Sequence, residues 1–581
     1  MLTRHDAGRL REHLSRVYGD DLAAATLPRL MNLLDRFVER HPEPPGRGDE
    51  PFDETDVVLI SYGDQVHEPG RPPLETLHQF LATHAVPGIS GLHLLPHYPS
   101  TSDDGFAVAN FTAVDPALGA WQHVSGLGSD FRLMLDAVVN HTSASHHWFT
   151  GWLEGDPRYT DYYLDIDPAT DLSSVIRPRT TPLLTPTPSG RWVWTTFSED
   201  QVDLNYHHPA VLLAVTEVLL EYVARGARLL RLDAIAFLWK RVGTSCMHLP
   251  ETHEIIRFWR TVLDMVAPGT LIVTETNVPH HENLTYLGSG ADEAHLVYQF
   301  ALPPLTLAAF HQGDARRLGE WVNTLEFPPV GSSFLNFLGS HDGIGLRAAE
   351  GLLSQSEVEL LCAAVADSGG AISYRDVAGG EPVPYELNSV YLDALSRPGV
   401  EESKGVVRGR FLAAHSIMLA LAGVPLIYFQ SLFGSRNWLD GMHQTGRARV
   451  VNRQRFSRAA LESELADPTS LRREVLDGLL AMIAARTSEP SFHPSAAQFW
   501  LDSRGGGMFA VQRSTLDGGS SVVCAADVTG RGGRLQATPP DRLPARGRLV
   551  DLLDGSEHSV DYAGMIDVPV PPYGVRWLRT L

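Results

Sequence analysis

The chain has 581 residues, 43% hydrophobic and 20% charged, with a formal net charge of −22. This length supports a large core and more than one domain. The acidic balance argues against DNA or RNA as the main partner, because phosphate-backbone binding needs a basic surface, although a small anion can still be held by a local arginine.

Residues 8–40 have a helical rhythm, with Leu27, Leu30, Met31, Leu34, Phe37 and Val38 at helical spacing. The start, "MLTRHDAGRLREHL", lacks the apolar run of a signal peptide. Four prolines and two glycines in "HPEPPGRGDEP" (41–51) then read as a linker. The first unit is therefore expected to be a helical extension over residues 1–55.

From residue 57 short apolar runs recur: "VVLISY", "GLHLLPH", "RLMLDAVV", "ARLLRLDAI", "TLIVTET", "LVYQF", "SFLNFLGS" and "VPLIYF". Amphipathic stretches at 74–84, 209–225, 251–266 and 411–422 lie between them. Near-continuous apolar strands alternating with helices predict a parallel sheet, closed as a (β/α)8 TIM barrel over 56–489. Long interruptions at 148–205 and 346–410 are expected to be inserted loop domains with a functional role. The uncharged stretch Phe411–Gly434 is long enough to span a membrane, but Gly423 and Pro425 break it into a helix and a strand. A helix near 468–487 precedes a change of character. "GMFAVQRST", "SSVVCAADV", "GRLVDLL" and "YGVRWLRTL" predict a C-terminal all-β domain over 490–581. Cys246, Cys362 and Cys524 form neither a disulfide framework nor a CxxC metal pattern, which fits a reducing, cytoplasmic setting.

Polar residues fall where barrel enzymes place their chemistry. His97, His141, Asp233, Glu275, His341 and Asp342 lie at or just past the C-terminal ends of predicted strands. Within "RLLRLDAIAFLWK" (228–240), Arg231 and Asp233 are two apart on a buried strand and so share a face. Taken singly, such a pair is a structural ion pair, Glu275 a helix cap, and His341–Asp342 a loop network. It is their collection on one face that points to function.

"DAVVNHTS" (136–143), "RLLRLDAIA" (228–236), "LIVTETN" (271–277) and "FLGSHDGIG" (337–345), in that order, resemble the signature regions of the α-amylase family of glycoside-active barrels. The resemblance covers about residues 56–455. It implies Asp233 as nucleophile, Glu275 as acid/base and Asp342 as a third carboxylate that stabilises the transition state. Arg231 would then orient the nucleophile, with His141 and His341 bonding the same glucose. The chemistry asks for these residue types independently: retaining transfer needs two carboxyls about 5–5.5 Å apart, and neighbouring strands lie about 4.8 Å apart.

"GIGLR", "GTSCMHLPETHEI" (243–255) and "VYQFALPPL" (297–305) are similar to the sucrose phosphorylase subfamily. That likeness makes Asp103 and Phe106, in D-x-G-F, the sugar-pocket aspartate and aromatic platform. It makes Arg453 a further sugar contact, with Arg449 as rival. Inorganic phosphate must meet the glucosyl-enzyme, and Arg177 and Arg179 in the first interruption, with Tyr374 and Arg375 in the second, are the cationic and donor candidates; Arg179 is the best phosphate contact. The chain departs from sucrose phosphorylases at Phe237, where they carry Tyr, and at Asn277, where they carry His. "TETNVPHHEN" and the N-terminal extension look more like the glucosylglycerate phosphorylases. The resemblance therefore implies retaining phosphorolysis of α-D-glucosylglycerate, with Arg375 available to the glycerate carboxylate. Sucrose, sucrose 6'-phosphate or glucosylglycerol phosphorylase, a retaining hydrolase, and a non-catalytic binding protein on the same fold remain as alternatives. No cofactor or metal is expected, phosphate being a co-substrate; no Walker-type loop or HExxH is present. The expected partners are a small sugar and phosphate, with no nucleic acid and no membrane, in a monomer or homodimer.

Overall fold

The computed structural model describes residues 3–42, 51–85, 88–375, 380–397, 399–503, 505–540, 547–562 and 564–581. The eight apolar runs become the eight strands of one closed barrel. They are β1 (Val58–Ser61), β2 (Gly91–Leu94), β3 (Arg132–Val138), β4 (Ala227–Asp233), β5 (Leu271–Thr274), β6 (Leu296–Tyr298), β7 (Ser333–Asn336) and β8 (Val424–Tyr428). Each pairs in parallel with its neighbours in sequence, and β8 closes on β1. Both faces of such strands are covered, by the packed barrel interior and by the helices, so they read as apolar runs rather than alternations. All of β1, β5, β7 and β8 is buried.

The predicted barrel helices form at Pro73–His84, Pro209–Ala224, Pro250–Val266 and Lys404–Ala420. The first three open on proline, which is tolerated there because the first-turn N–H has no helical acceptor. The uncharged stretch 411–434 divides as expected into the end of one helix, β8 and the short helix Phe429–Leu432. Among the described residues no helix is long and apolar enough to cross a membrane.

The N-terminal extension is helical and consists of two helices. α1 (Arg4–Tyr18) opens on a Thr3–Asp6 capping box, and Gly19, at φ 80°, breaks the chain before α2 (Asp20–Arg40). Only glycine takes that backbone region without a Cβ penalty. α1 lies on the helix Pro250–Val266, where His13 Nδ1 is 2.7 Å from Glu254 Oε1 and Nε2 is 3.0 Å from Thr261 Oγ1. Of the predicted linker, residues 43–50 lie outside the described residues.

Both interruptions carry their own structure over the C-terminal end of the barrel. The first contains the helix His147–Glu154, the hairpin Leu184–Pro186/Trp192–Trp194, and the strand Gln201–Asp203, which pairs antiparallel with His141–Ser143. In the second, Val383–Asn388 pairs with Ala371–Arg375 on one side and with Ile344–Gly345 on the other. The C-terminal region forms a six-stranded sheet and a two-stranded sheet, Gly533–Ala537 with Ile566–Val570. Leu535, Ile566 and Val568 of the pair share a core with Ala510, Val523 and Leu578 of the larger sheet. Arg513, fully buried, reaches back and donates to the carbonyls of Ala420 (3.0 Å) and His493 (2.7 Å), which ties this region to the barrel.

Candidate active site

Register creates the centre of the site. The pairing of β4 with β5 ends with Leu232 opposite Thr274, and Glu275 N–H donates to Leu232 O at 3.3 Å. Asp233, the last residue of β4, and Glu275, the first beyond β5, come next, on strands whose usual spacing is about 4.8 Å. Beneath them lies Arg231, 2% exposed. Its Nη1 donates to Asp233 Oδ1 at 2.9 Å and to Asp136 Oδ1 at 2.5 Å, and its Nη2 is 3.7 Å from Glu275 Oε1. One guanidinium thus touches both candidate catalytic carboxyls. Asp136 stands opposite Arg231 on β3 and is held in turn by His93 Nε2 at 2.8 Å. Burial opposes the ionisation of Asp136, but Arg231 and His93 prevail and bring its pKa down to about 2.

The charge of Asp233 is not set by Arg231 alone. Burial pushes its carboxyl well above the usual range; Arg231 opposes this and repulsion from Glu275 adds to it. Burial also raises Glu275, with Arg231 opposing and Asp342 adding. Arg231 bonds Asp233 directly and lies farther from Glu275, so its charge favours an ionised Asp233 more than an ionised Glu275. Asp342 moves the other way: burial opposes, but His341 and the guanidiniums of Arg449 and Arg453 hold it below the usual range.

These groups open into one cleft. Asp103, Phe106, His141, His341, Asp342 and Arg179 line it together with Asp233 and Glu275, as the sequence predicts. Asp103 sits in a run of left-handed backbone with Asp104 and Gly105 (φ 53°, 49° and 112°). Its Oδ2 accepts from Gln201 at 3.3 Å. Burial would raise its pKa, but Arg449, Arg179 and Arg453 outweigh this and lower it. His141 Nε2 lies 3.1 Å from both Phe106 O and Gln201 Nε2, and burial lowers its pKa. His341 is brought down to about 3 by burial. Phe106, assigned to stack on sugar, is packed parallel against His341 at 5.1 Å and 7°.

Other assignments shift. Arg449, the rival, lines the cleft, with Nη1 2.6 Å from Asp342 Oδ1. Arg453 lies behind it and donates to His341 O at 2.8 Å and to Asp104 Oδ2 at 2.5 Å. Tyr374 is half exposed and Arg375 donates to Glu350 at 2.7 Å; neither lines the cleft. The bulge between Ser373 and Tyr374 shifts their register, and the opposite strand presents Tyr385 to the cleft instead. Burial raises the Tyr385 phenol to about 12. Arg177 bonds Thr181 O within its own loop. Asn277 abuts Gly345 rather than the cleft, and Phe237 backs Phe197, a lining residue, edge to face at 5.6 Å. His97 is buried against Tyr98 and Trp121, away from the site.

Sequence reasoning missed Asp136, Gln201, Tyr385 and Glu386. Asp136 opens a quoted motif and was legible there. Gln201, Tyr385 and Glu386 are ordinary residues of the interruptions and carry no local signal. Glu386 grips Arg449 with both oxygens, at 2.8 and 3.1 Å, and accepts from Gly343 N–H at 3.1 Å. Among the described residues no group of three or more His, Cys, Asp or Glu is placed to hold a metal ion.

The model of the α-amylase catalytic domain matches residues 86–343. A curated glucosylglycerate phosphorylase from Allomeiothermus silvanus is 48% identical over 523 residues, covering 90% of this chain and 92% of that protein. One from Escherichia coli is 41% identical over 579 residues, covering 98% and 100%. A glucosylglycerol phosphorylase from Marinobacter adhaerens is 28% identical, covering 75% and 88%. Among solved structures, sucrose 6F-phosphate phosphorylase from Thermoanaerobacter thermosaccharolyticum superposes with a TM-score of 0.72 at 22% identity, over 88% of this chain and 99% of that one.

Proposed function

The chain belongs to the glucosylglycerate phosphorylases of the α-amylase family, and on that basis we propose that it catalyses reversible, retaining phosphorolysis of α-D-glucosylglycerate to α-D-glucose 1-phosphate and D-glycerate. The observation that carries the reading is that Asp233 and Glu275, next along the chain from the paired Leu232 and Thr274, both approach Arg231 at one cleft. In the forward direction Glu275 protonates the glycosidic oxygen as Asp233 attacks C1, and glycerate leaves. Phosphate then attacks C1 of the glucosyl ester while Glu275 takes up the proton, so two inversions give net retention. Asp342, ionised between Arg449 and Arg453, supplies negative charge to the developing oxocarbenium ion.

The sugar hydroxyls fall to Asp103, His141 and His341. The reaction needs no cofactor, since every proton and bond is handled by these side chains and phosphate. The same reading puts the enzyme in the cytoplasm; three free thiols, Cys246, Cys362 and Cys524, support it. The test is to supply α-D-glucose 1-phosphate with a panel of acceptors and follow phosphate release. D-Glycerate should release phosphate far faster than fructose or water. Equal release with no acceptor present would mark a hydrolase instead.

A further inference from the structure

The residues proposed to hold glucose rest on two chain segments that pair with each other, His141–Ser143 and Gln201–Asp203. Gln201 Nε2 donates to Asp103 Oδ2 and lies 3.1 Å from His141 Nε2, and Asp203 accepts from the Thr196 N–H at 2.9 Å, next to the lining residue Phe197. Two buried ties hold these segments from behind. The Lys240 ammonium donates to Asn140 Oδ1 at 2.7 Å and to Phe237 O, and lies 2.7 Å from Asp203 Oδ2. It joins the residue before His141, the strand that carries Gln201 and the loop after Asp233. The second tie is Tyr206, whose hydroxyl donates to Val139 O at 2.7 Å. Tyr18, the last residue of α1, meets both. Its hydroxyl donates to Tyr206 O at 3.0 Å, and its ring lies against Trp239, the residue before Lys240, with centroids 6.4 Å apart. His207 closes on the same Trp239 ring at 4.1 Å, and its Nε2 is 2.6 Å from Lys240 O. The bonds of His13 to Glu254 and Thr261 dock α1 on the helix Pro250–Val266 without touching either tie.

We infer that the N-terminal extension is part of the support of the glucose pocket, and that Tyr18 is a positioning residue for the donor glucose. It fixes Tyr206 and Trp239, and through them the segments that carry His141 and Gln201. The inference rests on the proposed function only in taking the cleft to bind a glucosyl donor. Tyrosine suits the place because one side chain with few torsions offers both an apolar ring and a polar tip. Groups that bond sugar hydroxyls lose much of their effect when displaced by a fraction of an ångström, so the shell that locks them matters as much as the groups themselves. Contacts to hydroxyls away from C1 are made in the ground state and the transition state alike. Loosening them therefore raises the donor KM and leaves kcat nearly alone.

The test follows fluoride release from α-glucosyl fluoride by the full-length enzyme, with D-glycerate as acceptor, alongside thermal melts. Fluoride release reads the glucose pocket whatever the acceptor. In Tyr18→Ala the KM for the fluoride should rise about fivefold or more, with kcat within about twofold of wild type. Tyr18→Phe keeps the ring against Trp239 and loses only the bond to Tyr206 O, so its KM should rise less, by about twofold, as for one neutral hydrogen bond. His13→Ala is the control. It loosens α1 on the helix Pro250–Val266, so it should lower the melting temperature and leave KM unchanged. KM does not depend on the fraction of enzyme that is folded, so partial unfolding of a variant does not imitate the effect. An unaltered KM in Tyr18→Ala would make Tyr18 a packing contact only and overturn the inference, as would an equal rise of KM in His13→Ala. Wild-type enzyme that releases fluoride but forms no glucosylglycerate would overturn the proposed function and leave the Tyr18 comparison intact.

Discussion

Asp233 has a bond from Arg231, a raised neighbour in Glu275 and a buried setting, so its replacement separates chemistry from folding. Asp233→Asn removes the attacking carboxylate and should lower turnover on the order of 1,000-fold or more, while the melting temperature holds; phosphate-release rates alongside thermal melts check this. A variant with near-normal rate would reject the nucleophile. Glu275 carries a pH prediction. Its folded pKa lies above its unfolded value of about 4.3, so the folded state keeps a proton that the unfolded state gives up. The stability linked to that proton is full below pH about 4 and is lost as pH rises through the folded pKa. Glu275→Gln escapes the loss. Its melting temperature relative to wild type should rise by a few degrees between pH about 4.5 and about 8; a flat difference would show that Glu275 is not raised.

At the scale of elements, the site depends on short loops held by backbone geometry rather than by strand ends alone. The Asp103–Gly105 turn is the clearest case. Gly105, at φ 112°, has no room for a side chain: a Cβ there would lie 2.8 Å from both Pro96 O and Pro96 Cβ. Gly105→Ala should cost about 1–3 kcal/mol and move Asp103 out of line with the sugar. Its signature is a donor KM raised severalfold in steady-state kinetics, with the fold intact by circular dichroism. The second interruption works through the strand Val383–Asn388. This places Tyr385 in the cleft and Glu386 on Arg449, and so couples the loops after β7 and β8.

Across the whole molecule, the barrel is braced from both ends of the chain. α1 and α2 cover the helices Pro209–Ala224 and Pro250–Val266, and Tyr18 donates to Tyr206 O at 3.0 Å, whose own hydroxyl bonds Val139 O beside β3. At the other end, Arg513 satisfies the Ala420 carbonyl at the C-terminus of the helix Lys404–Ala420, which no intrahelical donor can reach. Among the described residues it has no carboxylate partner, and burial brings its pKa down to about 10. Arg513→Ala strips the donors from Ala420 and His493 and should destabilise the protein by about 3 kcal/mol, read as a lower urea midpoint, with kinetics of the remaining folded enzyme unchanged.

The amino-acid sequence by itself determined the barrel and the gathering of three candidate carboxylates at one cleft. Eight apolar runs fixed the strands because buried parallel strands tolerate little else; Asp233 ends β4, Glu275 follows β5 directly, and Asp342 lies in the loop after β7, so strand ends carry them to one face. The family resemblance added Asp103, Phe106, His141, His341 and Arg179, and all of them line the cleft. Only the tertiary structure decided between Arg449 and Arg453, brought in Tyr385 rather than Tyr374, and showed Glu386 and Asp136 as partners of the two key arginines. A side chain's position within an inserted loop depends on that loop's own pairing and bulges, as at Ser373–Tyr374. The charge on a buried carboxyl likewise depends on every neighbour at once, and neither can be read along a line of residues.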